Sequence, residues 1–295
     1  MKSYELQPTY ENLINAYLND TIARNKDVFR FIELLNTIDD SCSIALDGGW
    51  GSGKTFFVKQ VKMVLDAHND FIASYNDTDR RKIKDLWTQH HKNQPVELQT
   101  QVSVYYDSWE NDNDEDPVLS LVYSILQSVE SEYTFKKGAN CLQIAANILD
   151  FFSGKKWTQL MNSLKSENPL QELKRQKGIQ EMVKEFLDSL LIEKGNRLVV
   201  FIDELDRCKP SYAVRLLERI KHYFSNDRIT YVFSININEL QHTIKQYYGA
   251  NFNASKYLDR FFDLRISLPP ADLNRYYQSL SFNNSHWIYD IVCDI

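Results

Sequence analysis

The chain has 295 residues, 43% of them hydrophobic and 25% charged, with a net charge of −6. That length supports one large domain or two smaller ones around a substantial core. The acidic balance argues against a general basic footprint for nucleic acid, and four widely spaced cysteines without a C-x-x-C pair suggest neither a zinc ribbon nor a disulfide framework.

Free thiols fit a reducing compartment, so the expected location is the cytoplasm. Met1–Glu5 lacks the apolar core of a signal peptide. Gly138–Leu149 is the longest uncharged candidate for a membrane run, and it is too short and too polar to span a bilayer.

Residues 10–38 read as helical, with Leu13, Ala16, Tyr17, Val28, Ile32 and Leu35 at helical spacing. Asp39-Asp40-Ser41 ends that pattern. Cys42–Leu46 is a short apolar run of the kind a buried parallel strand requires. Gly48-Gly49-Trp50-Gly51-Ser52-Gly53-Lys54-Thr55 then fits G-x-x-x-x-G-K-[ST], the phosphate-binding P-loop. Glycines let backbone N–H groups approach phosphate oxygens, and the helix that starts there turns its positive end toward the anion. Lys54 is expected to reach the β- and γ-phosphates, and Thr55 to offer its hydroxyl to Mg²⁺. Phe57, Val61, Val64 and Leu65 share one face of the following helix.

Residues 66–101 are polar and read as an insertion, with Arg80-Arg81-Lys82 and His90-His91. The basic cluster reads as a solvated face. Val102–Tyr106 is the next strand. The stretch Asp107–Asp116 carries six acids but matches no calcium loop, so it reads as a solvated approach to a helix over Pro117–Glu130. Residues 131–196 form a second, mostly helical insertion, with breaks near Ser153-Gly154 and Asn168-Pro169.

Arg197–Ile202 is a buried strand ending in Asp203-Glu204. Asp203, at a strand end in a P-loop protein, is placed to hold Mg²⁺, and Glu204 to take a proton from an attacking water. Asp206 competes for the base role, but it lies past the strand end and reads as ordering the turn with Arg207. A helix over about 212–224 and a strand over Thr230–Ile235 follow. Asn236, at that strand's end, is a candidate to orient the water or sense the γ-phosphate. Arg260 is a candidate finger reaching a neighbour's nucleotide, set against the surface ion pair that is the commoner fate of an arginine. Leu264–Leu268 is the last strand. Five strands separated by helices predict an α/β fold with a parallel sheet. The expected organisation is a nucleotide domain over 1–270 and a short C-terminal helical segment over 271–295.

The Trp-containing P-loop, Tyr106-Asp107-Ser108-Trp109-Glu110 and Phe201-Ile202-Asp203-Glu204-Leu205-Asp206-Arg207-Cys208-Lys209-Pro210 together resemble the KAP family of P-loop NTPases, over about residues 20–270. The resemblance implies an ATPase of the additional-strand, catalytic-glutamate division, with sheet order 5-1-4-3-2 and the Asp203 strand not adjacent to the P-loop strand. It also implies links to phage exclusion and membrane-proximal signalling in bacteria. Relatives often insert transmembrane helices between the two nucleotide motifs and continue into a helical lid. Here the insertion reads as soluble, and the short C-terminus either as a truncated lid or as a sign that the effector lies on another chain.

The function expected is a switch that binds and hydrolyses ATP with Mg²⁺, working as a homo-oligomer or with a partner protein. ATP over GTP rests on the resemblance and on the absence of an N-K-x-D run. Two further readings stand beside it: a scaffold that holds nucleotide without turnover, and a nucleic-acid-stimulated motor.

Overall fold

The apolar runs form strands in the computed structural model: β1 (Cys42–Asp47), β2 (Gln101–Asp107), β3 (Arg197–Asp203), β4 (Ile229–Ile235) and β5 (Leu264–Ser267). The structure describes residues 6–73, 76–114, 116–133, 144, 169–223, 226–269 and 271–272. The strands pair in parallel in the order β2-β3-β4-β1-β5. Read from the β5 edge, this is the expected 5-1-4-3-2. Strand β4 therefore stands between the P-loop strand and the Asp203 strand. Every residue of β3 and β4 is buried, as central strands covered on both faces must be.

Helices α1 (Tyr10–Asn19), α2 (Asn25–Thr37), α3 (Lys54–His68) and α4 (Asp77–His90) cover one face. The other carries α5 (Pro117–Glu132), α6 (Pro169–Lys194), α7 (Pro210–Tyr223), α8 (Ile237–Tyr248) and α9 (Ala254–Leu258). Strand side chains alternate between the two cores. Ile44, Leu46, Phe201 and Val232 join the α1–α4 side, while Ala45, Val200, Ile202 and Phe233 join the α5–α9 side.

The continuous helical stretch expected over 10–38 is two helices. Asp20 and Ala23 take left-handed backbone, with φ of 48° and 53°, which a right-handed helix cannot continue through. Asn25 holds the corner, its backbone N–H donating to Asp20 Oδ1 at 3.1 Å and its side chain to the Tyr17 carbonyl at 2.6 Å. The 66–101 insertion contains α4, whose Ile83 and Trp87 are buried in the α1–α4 core. Within it Arg80 donates to the Asn69 carbonyl at 3.4 Å and to the Ile72 carbonyl.

Of the 131–196 insertion, α6 is described. The run Gly138–Leu149, except residue 144, and the break at 153–154 lie outside the described residues, as does the C-terminal segment beyond 272. No helix among the described residues is long and apolar enough to cross a membrane.

Candidate functional site

The glycine loop leaves the carboxyl end of β1 and enters α3 at Lys54. Gly51 and Gly53 have φ of 71° and 79°, in the left-handed region that glycine adopts without strain. At Gly48 a Cβ would stand 2.6 Å from Ser52 Oγ, so the loop's tight closure needs the missing side chain. Lys54 folds back over this ring, its Nζ donating to the Gly48 carbonyl at 2.7 Å and the Gly49 carbonyl at 3.1 Å. Burial lowers its pKa, and Asp206, Asp203 and Asp47 oppose that shift. Ser52 Oγ is buried and has no hydrogen-bond partner among the described residues. A ring of backbone closed around a buried cation and an unsatisfied hydroxyl is the cradle an anion would complete.

Asp203 arrives from β3, two strands away. Its Oδ2 accepts from Thr55 Oγ1 at 2.6 Å and from the Tyr105 hydroxyl at 3.0 Å, while Oδ1 accepts the Glu204 backbone N–H at 3.1 Å. Asp203 is 1% exposed. A hydroxyl and a carboxylate converging from separate elements are hard oxygen donors, which suit a small hard cation such as Mg²⁺.

Glu204 follows in a left-handed conformation, φ 58°, without being glycine. Non-glycine residues held there carry strain and cluster at functional positions. Its carboxyl pKa is raised, chiefly by burial; Arg207 pulls it down while Asp203, Asp107 and Asp206 push it up. Arg207 Nη1 lies 3.5 Å from Glu204 Oε1. The same guanidinium lies 6.0 Å from the Trp50 ring centre and 5.6 Å from that of Trp109.

A sequence model of the KAP family P-loop domain matches residues 24–286. The chain belongs to the KAP family of P-loop NTPases. It is 34% identical over 76 residues to an uncharacterized protein of Methanocaldococcus jannaschii, an alignment covering 25% of this chain and 39% of that protein. It is also similar to a solved structure of the Aeropyrum pernix ORC2 protein in ADPNP–ADP complexes, at 15% identity and a TM-score of 0.34, covering 88% of this chain and 46% of that one. The chain thus spans less than half the length of either.

In this KAP-family chain the turn after β3 is wired differently from the sequence expectation. Arg207 pairs with Glu204 and not with Asp206. Asp206 Oδ2 instead accepts the Trp50 indole N–H at 3.0 Å. Asn236 lies at the end of β4 as expected, but its Oδ1 caps α8, accepting from the N–H groups of Asn238 at 3.2 Å and Glu239 at 3.4 Å. Only its side-chain NH₂ is left for other work.

Arg260 lies at the opposite end of the sheet. It lines a cavity of about 260 Å³ with Ser41, Cys42 and Asp263, at the start of β1. The strand is six residues long, which at about 3.3 Å per residue puts that cavity roughly 20 Å from the chain's own P-loop. Any finger role for Arg260 is therefore confined to a neighbouring copy.

Two residues of the site carry no motif. Tyr105 donates to Asp203, and burial together with the Asp203 charge pushes its phenol far above the usual range, so it stays a donor. Arg24 is 2% exposed and donates through Nη2 to the Ser52 carbonyl at 3.0 Å and to the Pro269 carbonyl. It props the P-loop from behind. Tyr105's place on a strand that precedes the Asp203 strand is a faint signal; nothing in the sequence around Arg24 points to the loop.

Proposed function

We propose that this chain binds ATP with Mg²⁺ and hydrolyses it as a regulatory switch. The contact that supports this best is Thr55 Oγ1 to Asp203 Oδ2 at 2.6 Å, because it joins the P-loop helix to the acid of a separate strand. When bound, Mg²⁺ neutralises charge on the β- and γ-phosphates. Lys54 exchanges the Gly48 and Gly49 carbonyls for phosphate oxygens, and backbone N–H groups of Gly49–Thr55 surround the rest. Thr55 and Asp203 hold the cation. Glu204 takes the proton from water, and Asn236 orients that water through its free amide. Arg260 of an adjacent copy adds charge to the transition state, which makes the working unit a homo-oligomer. A cytoplasmic location and a role in phage defence extend the proposal from the family resemblance.

A nucleotide-holding scaffold is the second reading, and the Arg207–Glu204 pair favours it: while it stands, a cation holds the carboxylate.

The test is ATP binding by calorimetry and Mg²⁺-dependent phosphate release, for the wild type and Lys54→Ala. The wild type should bind and turn over, and Lys54→Ala should lose both while keeping its far-ultraviolet circular dichroism. Binding without turnover selects the scaffold. Unchanged affinity in Lys54→Ala removes the P-loop assignment.

A further inference from the structure

The His90–His91 pair, which the nucleotide chemistry does not use, closes the end of α4 against α2. His91 is 8% exposed, and its ring packs 4.1 Å from the Trp87 indole. Its Nδ1 is 2.9 Å from the Trp87 carbonyl. A carbonyl can only accept, so Nδ1 carries the proton. In the neutral ring Nε2 is then a lone pair, and it faces Glu33 Oε1 at 2.7 Å. Two acceptors at that distance need positive charge between them, either a proton or a metal cation.

His90 brings a further ligand atom beside that pair. Its ring stacks on Phe29, centres 4.0 Å apart and 23° from parallel, and stands edge-on to His91 at 4.8 Å. One ligand atom from each of Glu33, His90 and His91 lies within 4.8 Å of the others. A proton shared by His91 and Glu33 has no use for a second imidazole. A cation does.

We propose that Glu33, His90 and His91 bind a divalent transition cation of the zinc class. Two imidazoles and a carboxylate, with no thiolate, suit Zn²⁺ and leave a fourth position for water. Bonds of about 2.0–2.1 Å at tetrahedral angles set ligand atoms roughly 3.3 Å apart. Glu33, half-buried, and His90, exposed, can close that gap by side-chain rotation. The Nδ1–H bond to the Trp87 carbonyl is the kind of outer contact that fixes a metal-binding histidine's tautomer and orientation.

The frame around the three is already built. Asn36, one turn beyond Glu33, donates to the Glu97 carbonyl at 3.1 Å and accepts the Gln99 N–H at 2.9 Å. The segment after His91 is therefore pinned to α2. A cation here locks the 66–101 insertion onto the helix that leads into β1, and that helix begins next to Arg24, which props the P-loop.

The experiment uses the full chain, stripped with a chelator, without nucleotide. Zn²⁺ is titrated in competition with a chromophoric chelator, and thermal unfolding is followed with and without Zn²⁺. The wild type should take up one equivalent at micromolar affinity or better and gain in Tm. His90→Ala and Glu33→Gln should each bind at least tenfold more weakly and lose the gain in Tm. His91 is buried and its removal risks the fold, so the exposed His90 carries the test. No uptake at micromolar Zn²⁺, or uptake equally tight in both variants, overturns the site.

Discussion

The Trp50 indole N–H donates to Asp206 Oδ2 across 3.0 Å, which fastens the P-loop to the turn after β3. The ring that makes this bond is otherwise 46% exposed. The contact divides the acids of that turn. Asp206 is taken up by the loop, whereas Glu204 is paired, among the described residues, with Arg207 alone, on a long 3.5 Å contact that a bound ligand can displace.

The two acids should therefore respond differently to neutralisation. Glu204→Gln should bind ATP and slow single-turnover hydrolysis by about 10²–10⁴, the range for a lost general base. Asp206→Asn keeps an acceptor for Trp50 and exchanges a charge-assisted bond for a neutral one, a difference of about 1 kcal/mol. Its rate should fall only several-fold. The reverse ranking would transfer the base role to Asp206.

The pH dependence follows from Glu204's raised pKa. A base must be ionised, so kcat/KM should rise with pH through a value above the ordinary carboxylate range. Arg207 is the group that holds this pKa down, so Arg207→Ala should move the rising limb to higher pH. The stability sign is opposite. A carboxyl that holds its proton more tightly when folded favours the fold at acid pH, and that contribution is lost as pH climbs from the unfolded value through the folded one. A limb unmoved in Arg207→Ala would detach it from Glu204.

Arg24→Met should weaken nucleotide binding without touching a phosphate. The change removes donors to the Ser52 and Pro269 carbonyls, and hydrogen bonds from charged groups are worth about 1.5–3 kcal/mol. Denaturant unfolding should show a loss of that order, and calorimetry a weaker ATP affinity. An unchanged affinity would mean the loop closes without its prop.

Arg260 faces away from its own P-loop, so its effect should appear only in an assembly. Specific activity should rise with protein concentration in the wild type, and Arg260→Ala should flatten the rise. Activity independent of concentration where oligomers form would leave Arg260 to line its cavity.

Much of this arrangement is readable from the chain because its parts are local. Buried strands announce themselves as apolar runs such as Leu198–Ile202, and the P-loop glycines as backbone that must turn sharply. The corner at Asp20–Arg24 is less legible, since nothing marks Ala23 for left-handed backbone. Arg24 is invisible for a different reason. Its partners, Ser52 and Pro269, are 28 and 245 residues away, and they meet only once α2 packs on α3 and β5 pairs with β1. Trp50 was legible as a signature but not as a donor, because its acceptor turns in from β3.

Strand β4 lies between the two halves of the site, and its register places Ser234 beside both Leu46 and Asp203. Ser234 shares the sheet face of Val232, under the start of α3, and its buried hydroxyl has no partner among the described residues. Its small side chain stands between the P-loop strand and the Asp203 strand, so little bulk projects from the sheet there. A leucine there would set a bulky apolar side chain against Leu46 and Asp203 while leaving every glycine, lysine and acid of the motifs in place. A relative so altered would keep its motifs while crowding the Asp203 carboxylate that the motifs depend on. In screening other chains of this fold, the size of the residue two places before the α8 cap is worth reading before the motifs are trusted.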